Sequence, residues 1–509
     1  MCWGCNSTAQ KVWSFGVGII VLACSITLGV LWPKVSTDLV NSQLQLTEYS
    51  TNYQKWIKSP FPLYMEFRVF NFTNWEEFNV EGESELLRNK WKNVKPKFEE
   101  LGPYVFEEMH KRVDLAYGDD DEDVSFNQTK TWWFRKDLSN GSLDDMVTNV
   151  NPIALTINYA TRYLDEGTKS IVDLLLMQKA EMFTTAKVGE WLFDGFEDGI
   201  LEWVKELEEE GELPPNIPEI PYERFGWFHL KNESSTTDGR FQIYTGKDDI
   251  KKLGMFKTWN GKETLGIMKG ECDKIKGTTG EVWPPFDTKS KTKPDATMFI
   301  PDVCRSLTLK YASDFERHGI KGWKWVGDDS MFDNGHKYEH TACFCQADES
   351  ECPNIKPGIY NTSTCQFGAP AFTSFPHFYL ADESYLEAIE GLKPEKEKHE
   401  MYIALEPEIG LPLDIKARLQ INLFMRNEPL LSYYKDVPDV YIPMFWFTQV
   451  AELPEDLAET AKLIYLVKGI GMWICYGLAA VGSLAVICGI YFVFTSRNKQ
   501  PTSMDMTKS

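Results

Sequence analysis

The sequence predicts an α+β protein in which one large, mostly antiparallel β unit lies between two membrane-spanning helices. Three observations lead to this fold class. Each end of the chain carries a long stretch without charged residues, and the part between them consists mainly of short β-like runs. Residues 152–210 interrupt those runs with helical patterns.

The first uncharged stretch has 22 residues between Lys11 and Lys34, and the second has 28 residues between Lys468 and Arg497. Both exceed the roughly 20 apolar residues that a membrane helix needs. The first is longer than the apolar core of a signal peptide and lacks a clear cleavage site before Trp32, so we interpret it as an uncleaved anchor. The predicted order is a tail (1–11), a span (12–32), an ectodomain (33–468), a second span (469–494) and a tail (495–509).

Both tails are predicted to be cytoplasmic. Lysine and arginine occur on the tail side of the spans, in agreement with the positive-inside rule. Five N-glycosylation sequons fall in the ectodomain, as expected for a luminal or extracellular face. They are Asn71, Asn127, Asn140, Asn232 and Asn361. We therefore predict a multi-pass protein of the plasma membrane, with endosomal or lysosomal membranes as a further residence.

The tails and spans carry two further signals. Cys2 and Cys5 lie a few residues from the first span on the predicted cytoplasmic side, where reversible palmitoylation occurs. Small residues recur in the spans at a spacing that permits close packing between the two spans or between two chains. They are Ser25 and Gly29 in the first span, and Ala479, Ser483, Ala485 and Gly489 in the second. Homo-oligomerisation is therefore left open.

The composition of the ectodomain restricts its partners. Between the two spans, 49 lysines and arginines stand against 74 aspartates and glutamates, a formal charge of −25. Such an acidic surface disfavours nucleic acid as a partner, because the phosphates would be repelled. We find no internal repeat and no low-complexity linker, which favours a single β unit with a helical insertion.

The ectodomain begins with a strand pattern. Leu63, Met65, Phe67 and Val69 alternate with polar neighbours, which is the period of a half-buried strand. Further β-like runs are GPYVFEEMHKRVDLAY, TKTWWFRKDL and RFQIYTG, and later HEMYIALEPEIGLPLDIKARLQINLFMRN and YIPMFWFTQV.

Residues 152–210 show helical periodicity, from NPIALTINYA to WLFDG and again in EDGILEWVKELEEE. The broad apolar face of one predicted helix consists of Ile171, Leu174, Leu175, Met177 and Gln178. Gly211, Pro214 and Pro215 end the last helix of this region.

Six cysteines predict a disulfide framework in an oxidising compartment. They are Cys272, Cys304, Cys343, Cys345, Cys352 and Cys365. His336 and His340 precede Cys343 with a zinc-like spacing, but an oxidising lumen favours disulfides over thiolate ligands. Cys343 and Cys345 would point to opposite faces of an extended chain and so do not pair with each other, whereas Cys345 with Cys352 would close a short loop. The other pairings stay open from the residues alone.

Enzyme motifs are absent from the sequence. It has no G-x-S-x-G, H-E-x-x-H or P-loop, and its seven histidines are scattered. The acidic run at 119–123 lacks the interleaved spacing and the glycine of a calcium loop, and we interpret it as a solvated loop. We predict a protein without catalytic activity, cofactor or metal ion.

A set of short motifs, in order over almost the whole ectodomain, resembles the class B scavenger receptor family. The motifs are GPYVF at Gly102, WPPF at Trp283, FIPDVCRSL at Phe299, CFC at Cys343, FPHFYLAD at Phe375 and EPEIGLPLDIKARLQINL at Glu406. This family includes the fatty-acid translocase of mammals, the lysosomal integral membrane protein and insect sensory neuron membrane proteins. The chain looks most similar to the insect croquemort-type receptors.

The resemblance implies an antiparallel β-barrel ectodomain, with an apical helical bundle at 152–210 and a hydrophobic tunnel. It implies the disulfides Cys272–Cys343, Cys304–Cys365 and Cys345–Cys352. Residues 151–193 hold nearly balanced charges, a departure from the cationic apex of relatives that bind lipoproteins or oxidised lipids. The ligand-binding residues expected at this apex are Lys169, Lys179, Lys187 and Phe183.

By the same resemblance, we expect a cell-surface scavenger and lipid receptor. It would bind lipoprotein or apoptotic-cell surfaces at the apex and pass fatty acids, sterol esters or phospholipids through the tunnel. One alternative is a lysosomal receptor for lipid transport or enzyme sorting, but that branch carries an acidic-leucine signal and the C-terminal tail has no leucine. Another is a two-span ligand-gated channel, for which the second span offers only Ser483 as a polar pore residue.

Overall fold

The computed structural model describes residues 7–59, 62–78, 94–211, 223–345, 354–365 and 368–497. The chain divides into two compact units: residues 1–44 together with 454–509, and residues 45–453. The described α-helices are α1 (Ser7–Leu44), α2 (Thr51–Ile57), α3 (Pro152–Thr161), α4 (Glu166–Lys179), α5 (Gly199–Glu210), α6 (Glu383–Glu387), α7 (Lys396–His399) and α8 (Glu455–Arg497).

The first unit is formed by α1 and α8. Both helices contain a stretch long and apolar enough to cross a membrane, Phe15–Leu44 in α1 and Glu455–Tyr491 in α8. They pack closely at small residues: a Cβ added to Gly18 would lie 3.0 Å from the Cβ of Ala485. The sequence leaves open whether the small residues pack the two spans of one chain together or pack two chains together. The structure shows packing between the two spans of one chain.

The second unit is built on a 13-stranded sheet. Its strands are β1 (Leu63–Phe72), β2 (Phe98–Tyr117), β3 (Asp123–Phe134), β6 (Arg240–Tyr244), β7 (Phe256–Trp259), β8 (Ala296–Ile300), β9 (Arg305–Arg317), β10 (Ile320–Val326), β11 (Ile359–Asn361), β12 (Ala371–Ser374), β13 (Tyr402–Glu406), β14 (Leu411–Met425) and β15 (Val440–Glu452). The order is β7-β6-β3-β2-β1-β15-β14-β13-β10-β9-β8, with β12 also paired to β14 and β11 to β12. Every ladder is antiparallel.

The alternation in β1 has the predicted consequence. Leu63, Met65, Phe67 and Val69 are all buried, and their polar neighbours are half-exposed. The ring of Phe67 packs edge-on against Phe228 at a centroid distance of 5.1 Å. The predicted half-buried strand is confirmed, because burial with a period of two requires one face of the strand to meet a core.

The sheet is a nearly closed barrel, and the short segment at Gly277 and Thr278 joins its two edges. Thr278 bridges Met255, beside β7, and Met298, in β8. The backbone of Gly277 accepts the N–H of Phe256 at 2.9 Å, so the contact is made by main chains alone. Gly277 has φ +86°, and a Cβ there would collide with the carbonyl of Thr297. The predicted barrel therefore closes where a glycine permits close approach.

The first and last strands of the sheet are hydrogen-bonded neighbours. β1 pairs with β15 in a register that sets Leu63 opposite Ala451 and Val69 opposite Phe445. These two strands therefore lie side by side although they are far apart in sequence.

The predicted helical region contains three α-helices, each with a side-chain N-cap, from Asn151, Asp165 and Asp198. A π-helical turn at Glu190–Asp194 lies in the same region. The last helix ends at Gly211, which has φ 73°, as predicted; Pro214 and Pro215 lie outside the described residues. One part of the helical prediction is wrong. Phe183–Lys187 forms β5, which pairs with β4 (Met146–Val150) in a separate two-stranded sheet. The β-branched pair Thr184 and Thr185 favours this extended conformation.

Two disulfides join loops of the second unit, Cys272–Cys343 and Cys304–Cys365. They are two of the three pairs that the family resemblance implies. Cys345 is also disulfide-bonded, and Cys352, its expected partner, lies outside the described residues. A bridge typically stabilises a fold by about 2–4 kcal/mol.

The close approach at Gly277 generates a prediction. In Gly277→Ala, the added Cβ meets the carbonyl of Thr297 in a left-handed backbone, so we expect a loss of about 3 kcal/mol or more in the free energy of unfolding. Gly266→Ala is the control, because Gly266 also has positive φ but faces open space; it should lose only about 1 kcal/mol. Urea unfolding of the full chain in detergent measures both. Equal losses would show that the contact at Gly277 does not hold the barrel closed.

Candidate functional site

Helix α4 is fastened to the loop before β15 through its polar side chains. Lys169 and Asp173 lie one turn apart and so share a face. The ammonium group of Lys169 lies 2.9 Å from the carboxylate of Glu428, and both side chains are largely buried. Asp173 accepts hydrogen bonds from the backbone N–H (2.5 Å) and the hydroxyl (2.8 Å) of Ser432. This face of the helix is therefore directed inward although it is charged.

Three apolar residues of α4 are turned to solvent, whereas Leu176 of the same helix is buried in the core. Ile171 and Leu174 are each 63% exposed and Met177 is 55% exposed. These three residues, which we call the α4 apolar face, are spaced at i, i+3 and i+6 on one side of the helix. Tyr163, just before the helix, is 63% exposed as well. Contiguous exposed apolar side chains commonly mark a surface that binds another apolar surface.

The four residues predicted to bind ligand at the apex do not form one site. Lys169 is held by Glu428, and Phe183 is buried against Phe72. Lys187 is half-exposed and pairs with Asp144 at 2.8 Å. Their positions in the fold explain why: Phe183 lies in a core strand, and Lys169 lies on the inner face of its helix.

Lys179 is the remaining member of this set. It is exposed at the C-terminal end of α4, and it makes no ion pair within the described part of the chain. Sequence periodicity identifies the apolar face of α4 but not its direction. The signal that was missed is the pair Lys169 and Asp173, whose partners in the loop before β15 are distant in sequence.

A second group of charged residues lies on the buried face of β2. That face is apolar at Phe106 and becomes charged at Glu108, His110 and Arg112. The two ring nitrogens of His110 lie 2.7 Å from Glu108 and 2.9 Å from Glu281. Arg112 forms an ion pair with the other oxygen of Glu281.

The protonation of this group follows from its partners. Burial disfavours the charged imidazole, but the carboxylates of Glu108 and Glu281 outweigh that effect and raise the pKa of His110 to about 9. Burial also acts against the ionised form of Glu281, yet Arg112 and His110 hold its pKa below the usual range. The group is thus a set of mutually neutralising charges.

An adjacent cluster continues the charged face on β3. Lys130 lies 2.8 Å from Asp238, and Asp302 lies 2.7 Å from Lys231. Despite its burial, Lys130 has a raised pKa because Asp238 and Asp302 are close. Every charge in this cluster has an opposite partner, so we assign it to the stability of the fold and not to ligand binding.

The residues of the rejected zinc hypothesis are used for other contacts. Cys343 is bonded to Cys272, and a ring nitrogen of His336 lies 2.8 Å from the carbonyl oxygen of Ile355. A disulfide sulfur is not a thiolate and does not ligate zinc as one.

Comparison with known proteins identifies the family of the chain. The sequence pattern of the CD36 family matches residues 16–493. The chain belongs to the CD36 family. The relatives of this CD36-family chain include Protein peste of Drosophila melanogaster, 35% identical over 93% of this chain and 80% of that protein. Scavenger receptor class B member 1 of Cricetulus griseus is 28% identical over 97% and 92% of the two chains, and sensory neuron membrane protein 2 of Ostrinia furnacalis is 29% identical over 92% and 91%.

The predicted family is confirmed by these matches, and with it the class of function. This CD36-family protein is a scavenger and lipid receptor with two candidate membrane helices.

The sequons of the receptor differ in exposure. The side chains of Asn140 and Asn232 are exposed, those of Asn71 and Asn127 are half-buried, and Asn361 is buried. The Asn361 carboxamide oxygen accepts the N–H of Ser363 at 2.9 Å. Asn140 and Asn232 therefore offer the most open positions for a glycan.

The His110 group generates a prediction of pH dependence. Because the folded-state pKa is raised from the ordinary 6.5 to about 9, protonated His110 stabilises the fold below pH 6.5, and this stabilisation is lost as pH rises through 9. We expect the free energy of unfolding of the receptor to fall by about 3 kcal/mol between pH 6.5 and pH 9.5 through this group. Urea unfolding at both pH values measures the fall.

His110→Gln should remove this part of the pH dependence. His340→Gln, which changes an exposed histidine, should leave it intact. The same pH dependence in His110→Gln and in the unmodified receptor would contradict the assignment.

Proposed function

We propose that the receptor captures lipidic surfaces, such as lipoprotein particles or apoptotic cells, through the α4 apolar face. The observation that carries this proposal is the orientation of α4, in which Lys169 and Asp173 are fixed inward while Ile171, Leu174 and Met177 face outward. Burying polar groups while apolar side chains stay exposed costs free energy when the surface contacts only water. The same arrangement is expected when the exposed apolar side chains bind a partner.

The size of the effect is sufficient for a multivalent particle. Burial of a whole Leu, Ile or Met side chain contributes about 1.5–3 kcal/mol, so three half-exposed side chains contribute about 3 kcal/mol together. Lys179, which ends the same helix, adds attraction to anionic lipids of about 1 kcal/mol. One receptor thus binds weakly, and many receptors on one particle bind tightly.

The second part of the proposal is a lipid tunnel through the barrel that accepts fatty acids, sterol esters or phospholipids. The aromatic interior supports it: Phe67 contacts Phe193 and Phe445 as well as Phe228. An acyl chain gains about 0.8 kcal/mol per buried methylene, so an apolar conduit needs only a concentration gradient to conduct lipid. The role is binding and transfer, without a catalytic step.

We place the receptor in the plasma membrane, and also in endosomes, with both tails cytoplasmic and residues 45–453 outside or in the lumen. Cysteines that form disulfides in this unit support an oxidising side. The exposed sequons at Asn140 and Asn232 support the same side, and a glycosidase-sensitive gel shift tests it. The predicted palmitoylation sites Cys2 and Cys5 lie outside the described residues.

The capture surface is tested by serine substitutions. Combining Ile171→Ser, Leu174→Ser and Met177→Ser should lower binding of lipid vesicles to receptor-expressing cells at least tenfold, because the apolar contact is lost. Folding should be nearly unchanged, since all three side chains are exposed. The amount of bound vesicle is divided by the amount of receptor at the cell surface, which is measured by labelling the ectodomain on intact cells.

The controls separate the apolar contribution from the charged one. Leu138→Ser, at an exposed leucine outside α4, should bind like the unmodified receptor. Lys179→Glu should weaken binding of phosphatidylserine vesicles and leave phosphatidylcholine vesicles unaffected, whereas Lys187→Gln should change little because Lys187 is already paired. Normal binding by the triple variant at equal surface level would refute the capture surface.

The tunnel is tested by the lipids that co-purify with the glycosylated receptor. Mass spectrometry after mild detergent purification should find fatty acids, sterol esters or phospholipids in stoichiometric amounts, and labelled fatty acid should exchange with them. A receptor that neither retains nor exchanges lipid would rule the tunnel out.

A further inference from the structure

A cavity of about 280 Å³ lies against the strands β1, β14 and β15, away from α4. The strands contribute Arg68, Arg418 and Trp446 to its wall, and His377 and the segment 393–399, which contains α7, lie opposite. At about 30 Å³ per water molecule, the cavity holds roughly nine waters. It is large enough for one small polar group with part of its hydration shell.

The floor of the cavity is held in a defined arrangement. His377 has φ 54°, a conformation that is strained for a residue with a side chain, and its backbone N–H donates to Gln420 at 2.7 Å. Its Nε2 lies 2.5 Å from the carboxylate of Glu100, which also accepts the indole N–H of Trp446 at 2.7 Å. A strained backbone that is fixed by three polar partners is typical of a binding site.

The two histidines of the cavity are oriented by backbone hydrogen bonds. The Nδ1 of His377 accepts the backbone N–H of Lys393, and the Nδ1 of His399 accepts that of Glu395, both at 2.9 Å. A backbone N–H can only donate, so each Nδ1 acts as an acceptor. The rings stack at 4.3 Å, and burial lowers the pKa of His399 to about 3.

Most carboxylates of the cavity are already satisfied. Glu66 and Glu100 share Arg68, at 3.5 Å and 3.8 Å, and Glu100 has two further donors. Glu395 pairs with Lys398 at 3.0 Å.

Two cations lack such partners. Arg418 donates to the backbone carbonyl of Glu400 at 2.7 Å, its Nε has no partner, and among the described residues no carboxylate lies within ion-pair distance of it. Burial lowers the pKa of Arg418, and the nearby Arg68 lowers it further. Lys393 is exposed and makes no ion pair with any described residue. Among the described residues that line the cavity, Glu397, which is exposed, is the one carboxylate without a cationic partner.

We propose that this cavity binds a phosphate group between Arg418 and Lys393, beside Arg68. An anion next to Arg418 supplies the opposite charge that no described carboxylate provides at ion-pair distance, and it offsets the repulsion from Arg68. Phosphate suits the site because its oxygens accept hydrogen bonds from several directions, from forked guanidinium groups and from a lysine. The phosphate is that of a soluble ester or of a lipid headgroup, and the site is independent of capture by α4.

Binding is tested with the full-length receptor in maltoside detergent, which contains no phosphate. Inorganic phosphate, glycerol 3-phosphate and short-chain phosphatidic acid are titrated calorimetrically at constant ionic strength. Saturable binding of all three probes supports a site for the phosphate group itself. Saturable binding of phosphatidic acid alone also supports the proposal and identifies a lipid headgroup as the source. No saturable binding of any probe up to about 10 mM overturns it.

Variants locate the binding. Arg418→Gln and Lys393→Gln should each weaken binding of the best probe at least tenfold, since each removes a charge-assisted hydrogen bond. Lys396→Gln is the matched control: this lysine lies in the same segment, does not line the cavity, and should change affinity less than twofold. Lys393 is exposed, so its variant folds even if Arg418→Gln does not. Unchanged affinity in Lys393→Gln overturns the proposal.

Discussion

The barrel depends on one contact between main chains, at Gly277 and Thr278. The sheet has two edges, β7 and β8, whose unpaired N–H and C=O groups would otherwise be open to association. The carbonyl of Gly277 accepts the N–H of Phe256 in β7, and Thr278 exchanges hydrogen bonds with Thr297 and Phe299 in β8. This close approach is possible because Gly277 has no side chain to collide with Thr297. The bridges Cys272–Cys343 and Cys304–Cys365 flank this contact in sequence, so the cross-links limit the freedom of the chain around the closure.

The orientation of α4 illustrates how buried polar contacts specify geometry without adding much stability. A buried ion pair such as Lys169 with Glu428 loses hydration as it gains attraction, so its net contribution to the free energy of folding is small. The pair nevertheless fixes which side of the helix meets the protein. An apolar surface can then remain in solvent without collapsing onto the core. The inward position of Lys169 and Asp173 and the outward position of Ile171, Leu174 and Met177 follow from the same contacts.

Local sequence patterns correctly predicted the elements whose structure follows from their own residues. The alternation from Leu63 to Val69 predicted a half-buried strand, and Gly211 predicted the end of a helix. The patterns failed where a distant partner decides. Phe183 lies in a strand because that strand pairs with β4. Lys169 points inward because it forms an ion pair with Glu428, which is distant in sequence.

The phosphate cavity was beyond prediction for the same reason. Its walls come from β1, β14 and β15 and from the loops around His377 and 393–399, and no short stretch of sequence contains its pattern. The family motif FPHFYLAD marks His377 but says nothing of Arg418 or Lys393. Only the folded chain shows which of these charges neutralise each other and which remain unpaired.

The pairing of β1 with β15 has a mechanical consequence. Leu63 and Ala451 are opposite each other at the same end of an antiparallel pair, so a force that separates the two ends of the barrel chain loads their hydrogen bonds one at a time. Such a pair unzips at low force, whereas strands pulled along their length must break many bonds together. The barrel resists tension only while its two ends are held next to each other.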